Sequence, residues 1–229
     1  MSQSVQEMFS RIAGRYDLAN DVLSFGVHRL WRKRLIRLLK LQKGAKVLDL
    51  CCGTGDLAFV SAQAVSDSGR VVAIDFVPEM LEHANSKSTQ RGFKNIDFIQ
   101  GDAMNVPVAN GIFDACTVGF GIRNVDDPLT CLKEMHRSLK RDGVVGVLEF
   151  GQPTLPGFKQ IYRFYSDKIM PIIGGILTGD KSAYTYLPET SKQFVAGQEF
   201  LGLMQNAGFN EVKLYPLLSG LAYCYIGKK

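Results

Sequence analysis

The segment Val47-Leu48-Asp49-Leu50-Cys51-Cys52-Gly53-Thr54-Gly55-Asp56 puts a carboxylate inside an apolar run, follows it with two closely spaced glycines, and then begins an amphipathic stretch. A strand, a glycine turn and a helix start in that order bring bare backbone against a nucleoside. Gly53 permits the sharp turn, Gly55 removes a side chain where the ligand approaches, and the helix N-terminus offers free N–H groups. The run Arg70-Val71-Val72-Ala73-Ile74-Asp75 reads as a second buried strand ending in an acid about 20 residues past Gly55, placed to accept both ribose hydroxyls. A third apolar segment, Ile96–Gln100, leads into Gly101-Asp102-Ala103, whose carboxylate and amides are suited to an adenine edge.

Gly53, Gly55, Ala58 and Asp75 also satisfy the loose dinucleotide fingerprint, so the ligand needs a further argument. Three features favour S-adenosylmethionine over NAD. Asp49, before the glycines, suits the ammonium of a methionine moiety and would sit poorly against a pyrophosphate. No Arg or Lys lies in the turn to balance phosphate. The chain ends in a hairpin-like pair, Glu211–Pro216 and Leu221–Ile226, as methyltransferases of the Rossmann-like class do.

The elements that must position these residues follow from the pattern of the chain. Apolar runs near 46–51, 70–75, 96–100, 113–119 and 144–150 alternate with amphipathic segments, the signature of a parallel sheet covered on both faces. Asp142-Gly143 predicts a turn into the fifth strand, and Pro78 suits a first helical turn. Residues 1–43 read as an N-terminal helical cap, 44–150 as the cofactor-binding core, 151–210 as an insertion and helix covering the acceptor, and 211–229 as the C-terminal hairpin of one domain spanning 1–229. In the cap, Trp31, Leu35, Leu38 and Leu39 share a helical face while Arg29, Arg32, Lys33, Arg34, Arg37 and Lys40 crowd the rest. That basic helix either docks its stripe on the sheet and solvates its charges, or meets an anionic membrane surface. In the insertion, Phe158, Ile161, Tyr162 and Tyr165 follow the carboxyl end of strand five, where open α/β sheets hold ligands.

Composition narrows the class without naming a reaction. At 46% hydrophobic and 21% charged, the 229 residues have ordinary globular usage, which excludes disorder and fibrous structure. Five scattered cysteines without a C-x-x-C pair, and three histidines, predict neither disulfides nor a metal site. Cys116 and Cys224 lie in apolar runs and read as core. No apolar run reaches spanning length, and no secretory or transit pattern opens the chain, so a cytoplasmic protein, with peripheral contact on the inner face of the membrane as an extension, is expected. The net charge of +5 gathers on one helix instead of tracking a groove with interleaved aromatics, so no nucleic-acid partner is expected.

Methyl transfer is an in-line displacement that needs alignment more than a nucleophilic side chain. Acceptor class is decided after strand four. There, nucleic-acid amino methyltransferases carry Asn/Asp-Pro-Pro-aromatic, whereas this chain has Gly119-Phe120-Gly121-Ile122-Arg123-Asn124. Tyr16-Asp17, Asn20, Ser24, Gly26, His28 and Trp31, then Phe120–Val125, Leu148-Glu149-Phe150, Tyr186-Leu187-Pro188 and Ala207-Gly208-Phe209 together resemble, over nearly the whole chain, the methyltransferases that C-methylate the ring in menaquinone and ubiquinone biosynthesis.

That resemblance implies a Rossmann-like class I methyltransferase with a mostly parallel seven-stranded sheet, helices on both faces and a C-terminal antiparallel hairpin. It implies a monomeric core, with a homodimer left open, that binds S-adenosylmethionine through Thr54, Asp75, Asp102, Ala103 and Gly119, beside Asp49, Gly53 and Gly55, which the strand and glycine turn already mark as cofactor-binding. The acceptor it implies is a polyprenylated quinol: demethylmenaquinol, favoured by the missing transit pattern, or a 2-polyprenyl-6-methoxy-1,4-benzoquinol. A scaffold that keeps the pocket without turnover is the competing class. Ala19, where many members have Met, and Val195-Ala196-Gly197-Gln198, where Pro and an acid are commoner, depart from the pattern outside the cofactor motifs. Ring carbon is a poor nucleophile until the adjacent hydroxyl ionises, and a phenol with a pKa of about 10 needs help at neutral pH. Arg123 is the candidate cation for that phenolate and Tyr16 the candidate proton relay; His28, Tyr184 and Glu149 stand behind them.

Overall fold

The computed structural model describes residues 3–229, so residues 1 and 2 of the expected cap lie outside the described residues. Five strands run parallel: β1 (Lys46–Leu50), β2 (Arg70–Asp75), β3 (Ile96–Gln100), β4 (Phe113–Gly119) and β5 (Leu139–Phe150). The hairpin β6 (Asn210–Leu217) and β7 (Ala222–Lys228) inserts antiparallel beyond β5, giving the order β3-β2-β1-β4-β5-β7-β6. The order reverses between β1 and β4, which opens a crevice at their carboxyl ends.

Alternation along the strands feeds two cores. Leu48, Leu50, Cys116, Val118, Val145 and Val147 pack against α6 (Pro128–Ser138) and α10 (Gln198–Asn206) through Leu132, Met135, Phe200 and Met204. The opposite pleat sends Val47, Val71, Ala73 and Ala115 against α4 (Asp56–Val65) and α5 (Pro78–Gln90). Pro78 opens α5 as expected.

The α3 helix (Val27–Leu39) lays Trp31, Leu35 and Leu39 against Leu148 and Cys224, and Gly146 leaves room for Leu35 and Leu39. Its apolar stripe is therefore spent on the sheet. Arg32 departs from the expected solvated face: it is buried, faces Asp56, and lies 5.5 Å from the centre of the Phe120 ring. The expected turn at Asp142-Gly143 sits inside β5 instead of before it. Asp142 takes a left-handed φ of 63° and the register with β4 slips there, so β5 begins at Leu139.

The N-terminal helices α1 (Gln3–Ile12) and α2 (Tyr16–Ser24) do not pack alone. Met8, Ile12, Ala19 and Leu23 share one core with Ala183 and Tyr184 of α9 (Lys181–Gln193) and with Met170, Ile173 and Leu177 of α8 (Met170–Thr178). The Tyr184 ring presses on Gly174, where any Cβ would sit 2.2 Å from it. Two segments more than a hundred positions apart thus close over the strand ends as one cover. All five cysteines are free thiols, and Cys116 and Cys224 are core.

Candidate functional site

Two cavities lie beneath that cover and share a wall made by Tyr16, Arg32 and Phe120. The first encloses about 790 Å³, its open mouth included, and is lined by Cys51–Thr54 after β1, Asp75–Val77 after β2, Gly101–Ala103 after β3 and Gly119–Gly121 after β4. The second encloses about 1410 Å³ and is apolar and aromatic, with Phe25, Trp31, Phe150, Phe158, Tyr162 and Tyr165 among its walls.

Of the expected cofactor residues, Gly53, Thr54, Asp75, Asp102, Ala103 and Gly119 line the first cavity together; Asp49 and Gly55 do not. Both turn glycines take left-handed φ, 54° and 85°, but their expected roles are exchanged. A Cβ on Gly53 would meet nothing within 4 Å, so Gly53 opens the ligand approach. A Cβ on Gly55 would press on Phe59 and Phe98 at 3.1 Å, so Gly55 lets the turn pack on α4 and β3. Cys51 and Phe120 adopt left-handed φ without being glycine, at the ends of the two strands that flank the switch point. Gly121 makes that possible, since its Cβ would lie 2.3 Å from that of Cys51.

Asp75 accepts hydrogen bonds from the amides of Gly53 (2.7 Å) and Val77 (2.9 Å), which brace the glycine turn against β2 while burial raises its carboxyl pKa. Asp102 caps its own turn through the amide of Met104 at 2.9 Å. Thr54 donates to Asp17 Oδ1 at 2.5 Å, and Lys87 bridges Asp17 and Asp56, so α2 is tied to the nucleoside turn by charge as well as packing. Asp49, in β1, is wholly buried. Its Oδ1 accepts from Thr117 at 2.6 Å, while Oδ2 has no hydrogen-bond partner among the described residues. Burial pushes its carboxyl up to about 7, against the pull of the Thr117 hydroxyl and the Arg32 charge.

On the acceptor side, Arg123 lines the second cavity but is not a free cation. Its Nη1 donates to Glu149 Oε1 at 2.5 Å and to the carbonyl of Phe120 at 2.7 Å, its guanidinium lies 5.3 Å from the centre of the Phe150 ring, and its Nε is buried without a partner among the described residues. Glu149 is 0% exposed, lines neither cavity, and spends Oε1 on Arg123 and the Phe150 amide, so it does not reach a ring proton. His28 lines the second cavity, but Asp21 and Arg32 occupy its two ring nitrogens, and burial with the Arg32 charge lowers its pKa. Tyr184 belongs to the cover's core and lines neither cavity. Tyr16 borders both cavities, its phenol raised by burial against a hydrogen bond from Asn20.

Sequence reasoning missed Phe9, Val77 and Met80 as walls of the first cavity and Arg32 as part of the shared wall. The i, i+4 spacing of His28 and Arg32 was a usable signal for their contact; nothing local connects Asp17 to Thr54.

The chain belongs to the ubiE/COQ5 methyltransferase family, whose model matches residues 1–229. It is 41% identical over 227 residues to a demethylmenaquinone methyltransferase of Staphylococcus epidermidis, covering 99% of this chain and 93% of that protein. It is 45% identical over 224 residues to the ubiquinone/menaquinone biosynthesis C-methyltransferase UbiE of Bdellovibrio bacteriovorus, covering 97% and 94%. A SAM-dependent methyltransferase of Thermotoga maritima, described as a possible histamine N-methyltransferase, shares the fold with a TM-score of 0.69 at 20% identity, covering 97% of this chain and 99% of that one. The chain is accordingly an S-adenosylmethionine-dependent methyltransferase with a Rossmann-like sheet.

The first cavity fits that cofactor. Acids stand at the ends of β2 and β3 and bare backbone lies at Gly53, where a Cβ would meet nothing; Asp49, with an orphaned Oδ2, is buried and does not itself line the cavity. In the ligand-free protein Asp49 has a consequence for stability. Its folded pKa lies above the unfolded value of about 4, so the folded state holds more protons across that interval and stability falls as pH rises from about 4 to about 7. Asp49→Asn should flatten that slope in urea midpoints measured without cofactor; an unchanged slope would place the buried proton elsewhere, Asp75 and Glu149 being raised in the same sense.

Proposed function

We propose that this protein methylates a ring carbon of a polyprenylated quinol, converting demethylmenaquinol to menaquinol. The observation that carries the reading is the large aromatic cavity sharing Tyr16, Arg32 and Phe120 with the nucleoside cavity, which brings an apolar acceptor against the methyl donor. The Staphylococcus relative's activity supports the naphthoquinol. The Bdellovibrio relative, named for both quinones, supports methylation of the methoxy-benzoquinol as the second reading.

When bound, S-adenosylmethionine supplies an electrophilic methyl group; the chain must make ring carbon nucleophilic beside it. The second cavity alone works against this, because burial pushes the phenol of Tyr162 up to about 12 and would raise a quinol hydroxyl likewise. Among the described residues Arg123 keeps a buried donor without a partner, Nε, in that wall. Its charge pulls against burial at Tyr16, Tyr162 and Tyr186, even with Glu149 beside it. We therefore assign Arg123 the stabilisation of the quinolate oxygen, with Glu149 as its positioning residue. Tyr16, kept protonated by burial, serves as the relay through which the hydroxyl proton leaves and returns. The new carbon–carbon bond forms as the methyl–sulfur bond breaks, and the ring proton then leaves carbon for water, so that one proton is released per turnover. The expected cap, core, insertion and hairpin then act as one unit, with cap and insertion closing over acceptor and cofactor together. The tail of such an acceptor dissolves in a bilayer, so the enzyme works peripherally at an anionic membrane surface; no helix of the described residues is long and apolar enough to cross it.

Purified protein given labelled S-adenosylmethionine, with reduced demethylmenaquinol or the methoxy-benzoquinol in lipid vesicles, should place label on ring carbon of the naphthoquinol. Tight cofactor binding without transfer to either would replace this reading with that of a silent scaffold. Arg123→Lys should leave cofactor affinity nearly unchanged and lower kcat by about a hundredfold, the usual cost of one lost transition-state donor. Undiminished turnover would remove Arg123 from that role.

A further inference from the structure

The second cavity does not end at a polar rim. Phe25 at the end of α2, Ile161 on α7 (Pro156–Phe164) and Leu218 in the β6–β7 turn line it and are exposed at 84%, 70% and 52%. The same helices carry apolar residues outward. Phe164 on α7 is 63% exposed, and Ile172 and Ile176, one turn apart on α8, are 56% and 76% exposed. The nine residues of α7 include none that is buried, although Phe158 and Tyr162 turn into the cavity. A helix with one apolar side on a cavity and another in water lacks a partner for the second.

These elements are tied to one another. The Tyr165 hydroxyl donates to the carbonyl of Leu23 at 2.7 Å, the Phe25 and Tyr165 rings lie 6.5 Å apart, and Arg15 of the cap donates to the Leu177 carbonyl on α8 at 3.1 Å. Cations flank the apolar positions. Lys159 and Arg163, one turn apart on α7, form a row beside that of Ile161 and Phe164, Lys168 follows, and all three are exposed, Arg163 3.7 Å from Asp167. The exposed Lys33, Arg34 and Arg37 stand on α3, whose N-terminal end also borders the cavity.

We propose that α2, α7 and α8 form the face that docks on an anionic bilayer, with Phe25, Ile161, Leu218, Phe164 and Ile176 entering the acyl boundary so that the mouth of the acceptor cavity opens into lipid. This deepens the quinol reading and rests on it for the mouth's purpose. The flanking cations select a bilayer over a second copy of the chain, since pairing two such faces would bring like charges together. It also moves the docking surface off the apolar stripe of α3, which the sheet already covers.

The test pairs wild type with Phe164→Ser/Ile176→Ser, positions that line neither cavity. Co-sedimentation with phosphatidylcholine vesicles, with and without phosphatidylglycerol, reads docking without turnover, and transfer to a short-tailed, water-soluble quinol reads the acceptor chemistry without lipid. Wild type should bind the anionic vesicles, more weakly as salt rises, and the double variant should bind about tenfold more weakly or worse, given the apolar surface removed. Transfer to the soluble quinol should be equal in the two proteins. Failure of wild type to bind anionic vesicles, equal binding by the variant, or a wild-type dimer that the variant abolishes without change in vesicle binding would each overturn the docking face. Vesicle binding without transfer to any quinol would leave the face standing and remove the quinol reading.

Discussion

A charge held at the wall of an apolar cavity governs this site. Arg123 and Glu149 meet where β4 and β5 end, with 3% and 0% of their side chains exposed, and neither is tolerated there without the other. Removing one partner of such a pair typically costs about 3–5 kcal/mol, because the remaining charge stays buried. The pair holds the turn from Phe120 to Arg123 in place through the Phe120 carbonyl. That turn supplies Phe120 to both cavities, Gly121 to the nucleoside side, and Arg123 to the acceptor side. In the proposed mechanism Glu149 therefore acts only through the position it gives Arg123.

Around that pair the molecule solves a problem of access. The cofactor is polar and meets backbone and carboxylates at strand ends; the proposed acceptor is greasy and meets aromatic helices. Parallel strands carry the first half without help, but the second half needs walls the sheet lacks. The chain takes them from both sides of its core, fusing α1 and α2 with α8 and α9 through the Met8, Ile12 and Tyr184 cluster. The Asp17, Thr54 and Lys87 contacts then fasten this cover to the glycine turn, so the cavity that holds the cofactor and the cover that holds the acceptor share one anchor.

What could be read beforehand was what periodicity and local order encode. The apolar runs marked β1 to β5 and the hairpin to within a few residues, because buried parallel strands leave little ambiguity. The glycine turn and the acids at Asp75 and Asp102 were legible because a nucleoside site imposes their order along the chain. What was misread depends on partners distant in sequence. Gly55 is small because of Phe59 and Phe98, not because of a ligand; Arg32 turns inward because Asp56 and Phe120 arrive from other elements. Asp142-Gly143 looked like a turn, yet a bulge absorbs it within β5. The pairing of Arg123 with Glu149 had no local signature at all, being set by the register of β4 on β5.

Donor and acceptor meet only if two cavities are filled together across one wall. Calorimetric titration of a short-tailed naphthoquinone analogue into the free protein, and into protein saturated with S-adenosylhomocysteine, addresses this without requiring turnover. The account predicts one analogue per chain in both cases, with affinity undiminished by the nucleoside. Competition between the two ligands would mean that a single cavity serves both, and the shared wall of Tyr16, Arg32 and Phe120 would not separate a donor from an acceptor.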